Sequence, residues 1–269
     1  MVNSSSDVTR FAQNGVFERL ARAGYVMSGL LHLVIGYLAI RIALGSGRGD
    51  ADPSGALAAV AGQRGGNIAL WIAAAAFGFM ALWRLVETAL GRATDPKAQG
   101  ALAETSDRAK AFALAVVYLA FAYSAFGFAR GAGESSAKQN STMSARLMQS
   151  GAGTVALIAA GVIIVAVGAY HVYKGVTRGF LDDLKGKSGD LAVRLGVLGY
   201  VAKGLTIAGA GVLVIVAASR SEPDKATGLD GALKALGAQP YGVVLLVLAG
   251  MGIITYGFYS FVMARYTKM

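Results

Sequence analysis

Lys203, His32 and His171 each fall inside a long apolar segment of this chain. A lysine at the centre of such a segment costs about 2.5–3.5 kcal/mol on membrane-insertion scales, which makes an ionisable group there a functional candidate by default. Lys203 stands nine residues beyond Arg194, about 13 Å along a helix at a rise of 1.5 Å per residue. Snorkelling recovers a few ångströms of that depth and not all of it. Two roles are open to it. It either faces other helices, bonded to backbone carbonyls or a tyrosine hydroxyl, or it contacts a ligand or ion in a central cavity.

His32 and His171 are the chain's two histidines. Each is a candidate for proton or ligand handling, or for an interhelical hydrogen bond. As a facing pair they would also be the axial ligands of a b-type haem. That is the weakest alternative, because internal repetition places Tyr118 and Ile207 at the position of His32, but Arg84 and Ser260 at that of His171. Tyr118 joins the candidate polar site for the same reason. No cofactor is expected, and no cluster of acid and histidine ligands suggests a metal.

A second polar band recurs near the ends of alternate apolar segments: Trp83-Arg84 with Glu87, Tyr170-His171 with Lys174, and Tyr259-Ser260 with Met263. Residues three apart share a helix face, so Arg84 and Glu87 can pair. The band reads either as an interfacial aromatic belt with snorkelling cations, or as a mixed-charge ring of Arg84, Glu87 and Lys174 of the kind that sets selectivity in channels. Motifs of soluble enzymes are accidental here. Ser135-Ser136-Ala137-Lys138 spells S-x-x-K without the motifs that accompany it in acylating enzymes, and Gly209-Ala210-Gly211 lacks the third glycine of a nucleotide loop.

The elements that must position these groups are six apolar segments: Val16–Leu44, Asn67–Leu90, Arg108–Arg130, Gly151–Arg178, Leu191–Ala218 and Tyr241–Ala264. Each exceeds the ~20 residues that cross a bilayer as a helix. Charged residues make up 15% of the chain and fall mostly between the segments, against ~25% in soluble domains. The net charge of +10 is therefore no argument for nucleic acid. Thirteen Lys and Arg fall on the side of the amino terminus, among them Arg10, Arg19, Arg92, Lys97, Lys187 and Lys268, against eight opposite, including Arg48. This bias predicts both termini in the cytoplasm. The chain has no cysteine, hence no disulfide or thiolate chemistry. Its first segment reads as a retained signal anchor. The Ala- and Gly-rich composition suggests a bacterial plasma membrane.

The segments repeat in pairs, as repeats 16–90, 105–178 and 191–266. Gly24-Tyr25-Val26 and Gly29-Leu30 match Gly199-Tyr200-Val201 and Gly204-Leu205; Gly55-Ala56-Leu57 and Gln63 match Gly231-Ala232-Leu233 and Gln239. The middle repeat keeps the frame, with Tyr118 at His32, and Tyr170 at Trp83 and Tyr259. Two spans per repeat make the units parallel. The expectation is a single all-α membrane domain of three parallel two-helix repeats, closed as a pseudo-threefold bundle. The loops after Asp52-Pro53-Ser54 and Leu229-Asp230 predict short surface helices capped by Ser or Asp, with a degenerate copy at Ser141–Gln149. Abundant glycine inside the spans predicts close helix packing. All four prolines lie outside span interiors, so no proline kink is expected.

With Gly24-Tyr25…Ser28-Gly29, Gly199-Tyr200…Lys203-Gly204, the Gly-Ala-Leu…Gln loops and the closing Tyr256-Gly257-Phe258-Tyr259…Ala264-Arg265-Tyr266 in view, the chain resembles the domain-of-unknown-function 1206 family. These are bacterial multi-pass membrane proteins, common in actinobacteria. The resemblance covers nearly the whole chain and implies the triplicated six-span architecture. It brings no activity, substrate or catalytic residue.

Two function classes stay open. Parallel repeats around deep polar groups suit a channel or a small-solute or ion carrier. Unbroken, glycine-packed spans suit a structural, accessory, lipid-binding or cofactor-binding membrane protein. A membrane enzyme ranks third, for want of an acid/base or nucleophile cluster. The expected partners are the bilayer with its anionic lipids, a small solute or ion, and a second copy or another subunit of a membrane complex.

Overall fold

A computed structural model describes residues 15–46, 49–90, 101–185 and 189–267, without the side chains of 15–21, 90, 101–104, 106 and 107. Of the basic residues that set the orientation, Arg10, Arg48, Arg92, Lys97, Lys187 and Lys268 lie outside the described residues, as does the side chain of Arg19.

In chain order the α-helices are α1 (Gly15–Ala43), α2 (Pro53–Ala61), α3 (Gly66–Leu90), α4 (Ala101–Ala129), α5 (Ser136–Leu147), α6 (Gly151–Val176), α7 (Asp190–Arg220), α8 (Leu229–Gly237) and α9 (Gly242–Tyr266). Short 3-10 turns occupy Gly179–Asp183 and Pro223–Lys225. Among the described residues the one extended pairing is an isolated bridge between Leu184 and Thr267. Helices α1, α3, α4, α6, α7 and α9 are each long and apolar enough to span a membrane. In lipid every backbone polar group must bond within its own segment, which leaves the helix as the form open to these sequences. The protein is an all-α membrane protein of three two-helix repeats.

The third span runs Arg108–Ala129, within a helix, α4, that already starts at Ala101. One expectation needs correcting. The middle surface element is not a degenerate copy of the short helices over Ser141–Gln149 but a full helix of 12 residues, Ser136–Leu147. Its start is Ser135, whose hydroxyl accepts the Lys138 amide at 3.4 Å. Ser135 thereby satisfies one of the orphan donors of the first turn. The S-x-x-K spelling is a helix cap. In α2 the same task falls to Asp52, which accepts the Gly55 amide at 2.9 Å, with Pro53 at the first helical position, where its missing N–H costs nothing.

The chain divides into two compact units. The first holds the opening of α1 up to Met27 and residues 60–133, hence α3 and α4. Here a Cβ on Gly24 would sit 2.7 Å from the Met80 Cβ, so α1 and α3 meet at van der Waals distance. Ala81 of α3 and Ala115 of α4 are fully buried. Phe77 packs against Tyr118 and Phe121, with ring centroids 6.3 and 5.4 Å away, and Asn67 donates to the Ala129 carbonyl at 2.7 Å.

The second unit holds α1 from Ser28, together with α2 and α5 to α9. A Cβ on Gly168 of α6 would lie 2.6 Å from the Gly204 carbonyl oxygen of α7, and one on Gly161 would lie 3.0 Å from that of Gly211. The pair α1–α9 repeats this contact: Gly36 against the Gly250 carbonyl at 2.5 Å, and Gly29 against that of Gly257 at 2.9 Å. In the repeat register, Gly29 and Gly36 stand where Gly204 and Gly211 do, and Gly257 and Gly250 where Gly168 and Gly161 do. The matching positions of α3 and α4 are Ala74, Ala81, Ala115 and Ala122. In the second unit, then, α6 packs its small residues on α7, and α9 packs its own on α1. Backbones approach this closely only across small side chains.

Candidate functional site

In the second unit the deep polar residues of three helices meet around two tyrosines. Lys203 of α7 places its Nζ 4.0 Å from the centroid of the Tyr256 ring of α9. The ring of His32, from α1, lies 4.8 Å from the same tyrosine. Tyr256 meets Tyr200 edge-on at 5.4 Å, and His171 of α6 stacks on Tyr200 at 5.9 Å, 28° from parallel. Lys203 acts electrostatically on both histidines. Lys203, His32 and His171 are each half-buried, whereas Tyr200 and Tyr256 are buried.

Local packing explains why the site forms here. Gly199 lets α9 approach so closely that a Cβ on it would lie 2.7 Å from the Tyr256 Cα. This is the same contact that Gly24 makes with Met80 in the first repeat. Tyrosine replaces methionine in the third, and lysine (Lys203) replaces Ser28, so the cation and the ring that faces it both belong to the third repeat alone.

Lys203 meets the face of a tyrosine rather than a hydroxyl or a carbonyl. Among the described residues it has no carboxylate partner. A desolvated cation–π contact is worth about 2 kcal/mol, less than the ~2.5–3.5 kcal/mol insertion cost of the lysine. The two histidines depart from the interhelical expectation. His32 Nδ1 bonds the Ser28 carbonyl at 2.7 Å, and His171 Nδ1 bonds that of Val167 at 2.8 Å, each four residues back in its own helix. With Nδ1 engaged, Nε2 is the nitrogen left for a ligand or a proton. The ring contacts that connect the histidines run through Tyr256 and Tyr200, so two tyrosines stand in series between the would-be haem ligands.

Tyr118 belongs to the first unit, where it packs on Phe77. Arg84 is also there, bonded to Glu87 at 2.5 Å and to the Tyr25 hydroxyl at 2.8 Å. Lys174 belongs to the second unit and pairs with Asp183 at 2.5 Å. Within the expected ring Arg84 and Glu87 thus pair with each other, while Lys174 pairs with Asp183.

At the opposite end of the second unit, the loops carry a cluster the sequence reading passed over. Asp230 accepts the Ala51 amide at 2.9 Å and pairs with Lys234 at 2.6 Å. Asp50 accepts the Ser135 hydroxyl at 2.5 Å and pairs with Lys234 at 3.2 Å. Burial pushes the Asp50 carboxyl up, but the bonds from Ser135 and Lys234 outweigh it and leave it below the usual range. Asp52 is fully buried, and its Oδ2 has no hydrogen-bond partner. Burial, with Asp50 and Asp230 nearby, holds that carboxyl above its ordinary value.

The triplicated hairpin with these glycine contacts matches a described domain. Residues 23–91, 109–178 and 198–267 each match the Domain of Unknown Function (DUF1206). The chain belongs to the DUF1206 family. It is also similar to "Uncharacterized protein YxxB" of Bacillus subtilis (strain 168), 27% identical over 259 residues, which cover 94% of this chain and 92% of that protein. No solved structure matches. In this DUF1206 protein the Gly-Tyr pairs that carry the resemblance have a visible task. Gly24 and Gly199 admit the neighbouring helix, while Tyr25 binds Arg84 and Tyr200 joins Tyr256. In the sequence Tyr200 and Tyr256 stand out only as repeat signatures; the structure makes them site residues. Their spacing from Lys203 and Gly257 was the available signal.

Proposed function

We propose that this DUF1206 protein is a carrier for a small anionic solute in a bacterial plasma membrane, with both termini in the cytoplasm and the solute site at Lys203. The supporting observation is a lysine at span depth, 4.0 Å from the Tyr256 ring centroid, with no carboxylate partner among the described residues. The anion bonds the ammonium group. His32 and His171 present Nε2 to its protons or to water, and the ring edges of Tyr200 and Tyr256 shape the space. No cofactor enters this reading. Purified protein in liposomes is expected to conduct formate, nitrate or chloride down a gradient, with Lys203→Met reducing the flux at least tenfold. Flux equal to that of empty liposomes, or unchanged in Lys203→Met, overturns the reading.

A second reading, a non-transport structural or accessory protein, draws on the glycine contacts of α1–α9 and α6–α7, which suit a static bundle. It predicts no flux, with Lys203→Met altering only stability. A Soret band in purified protein would instead favour the haem-binding form of that reading.

A further inference from the structure

The connection between α6 and α7 does more than join them. Its 3-10 turn, Gly179–Asp183, carries Phe180, which is fully buried. The Phe180 ring stacks on Tyr200 at 5.4 Å, 8° from parallel, and meets Tyr259 edge-on at 5.2 Å. It lies against Gly196 of α7, where any Cβ would collide with the ring. Tyr259 is itself fully buried. The aromatic stack thus runs from Phe180 through Tyr200 to Tyr256, the ring that faces Lys203.

The turn is fastened at both ends. Arg178, at the end of α6, adopts a left-handed conformation with φ 59°, an unfavoured state for a non-glycine residue that turns the chain back over the helix ends. Asp183 pairs with Lys174 of α6, and the Lys174 ammonium lies 5.8 Å from the Tyr200 centroid. Beyond it, Leu184 bridges to Thr267, and the Lys185 amide donates to the Tyr266 carbonyl at 2.6 Å. The turn thus buries an entire phenylalanine and is pinned by a side-chain ion pair to α6 and by backbone contacts to the end of α9.

We propose that residues 178–185 form a gate in which Phe180 plugs the Tyr200 end of the Lys203 site, held shut by the Lys174–Asp183 pair together with the backbone contacts of Leu184 and Lys185. The proposal rests on the reading of Lys203 as the solute site. The gate separates that site from the face where α6 ends and α7 begins. Breaking the ion pair removes one of the fastenings and loosens the turn, and withdrawal of Phe180 opens a path along Tyr200 to Tyr256 and Lys203.

The absence of native cysteine makes the test direct. Lys203→Cys provides the single thiol, in liposomes sorted by orientation, and a small charged methanethiosulfonate reagent is added from one side at a time. From the face bearing the gate, labelling is expected to be slow in the parent and at least tenfold faster with Phe180→Ala. It should be faster to a lesser degree with Asp183→Asn, and close to the parent with Phe180→Leu. Labelling from the other face is expected not to change. Equal rates in parent, Phe180→Ala and Asp183→Asn overturn the gate, as does acceleration from both faces alike, which would signal general loosening. Phe180→Leu and Asp183→Asn keep the test alive if Phe180→Ala fails to fold. Labelling rates report the gate alone, and anion flux reports the solute site. A gated thiol in a protein without Lys203-dependent flux refutes the carrier reading and leaves the gate, while flat labelling beside Lys203-dependent flux refutes only the gate.

Discussion

Asp52 is the residue whose surroundings fit it least. Its Oδ1 accepts the Ser54 hydroxyl at 2.6 Å and the Gly55 amide at 2.9 Å, but its Oδ2 is buried without a partner beside two other carboxylates. A buried acceptor left unsatisfied costs about 1–3 kcal/mol, more when charged. Because the folded-state pKa is raised, folding retains a proton that the unfolded chain has lost. Stability therefore falls as pH rises from the ordinary carboxylate value through the raised one. Asp50 acts with the opposite sign: its lowered pKa contributes stability at neutral pH that disappears as pH falls through its folded value. Asp52→Asn keeps the Oδ1 bonds and removes the charge. We expect it to raise the thermal midpoint at pH 7 and to flatten the loss of stability between mildly acidic and neutral pH. Thermal unfolding in detergent across that pH range measures both effects, and a midpoint that falls at pH 7 would refute this account of the cluster.

At the scale of helices, the same glycine can be indispensable or idle according to what it faces. A Cβ on Gly168 would meet the backbone of α7, 2.5 Å from the Ala208 nitrogen and 2.6 Å from the Gly204 oxygen, and backbone cannot rotate aside. At Gly78, in the middle of α3, a Cβ would meet nothing within 4 Å. Gly168→Ala should therefore destabilise the protein by about 1–3 kcal/mol, the usual cost of overpacking. Gly78→Ala should be neutral or gain a few tenths of a kcal/mol from helix propensity, up to about 1 kcal/mol. Equilibrium unfolding in mixed micelles compares the two, and equal effects would mean that the α6–α7 contact is looser than described. Periodicity and the repeat made the six spans legible, along with the abundance of small residues. They did not make the pairing legible, because a stripe of glycine marks a helix as able to pack closely and does not name its partner. For α6 that partner is α7, and for α9 it is α1.

For the whole molecule, the proposal that both termini face the cytoplasm rests on an even number of spans and on the bias in lysine and arginine. In the cysteine-free chain, Ser4→Cys and Lys268→Cys should react with an impermeant thiol reagent only after cells are opened, whereas Lys138→Cys should react in intact cells. Termini labelled from opposite sides would contradict six spans, and termini labelled from outside would reverse the orientation. The class of object follows from the order of residues alone. Fifty-five per cent apolar composition, segments of bilayer length and a threefold internal match leave a triplicated six-span helical protein as the economical solution, because hydropathy and repetition are local properties of the chain. What the tertiary structure decided was company. Lys203, His32 and His171 lie far apart in sequence, and the rotation of each helix about its axis is set by contacts such as Gly199 against Tyr256. Only those contacts bring an ammonium, two tyrosine rings and two imidazoles into one cluster. Only the fold returns Phe180 from a loop to lie beneath them.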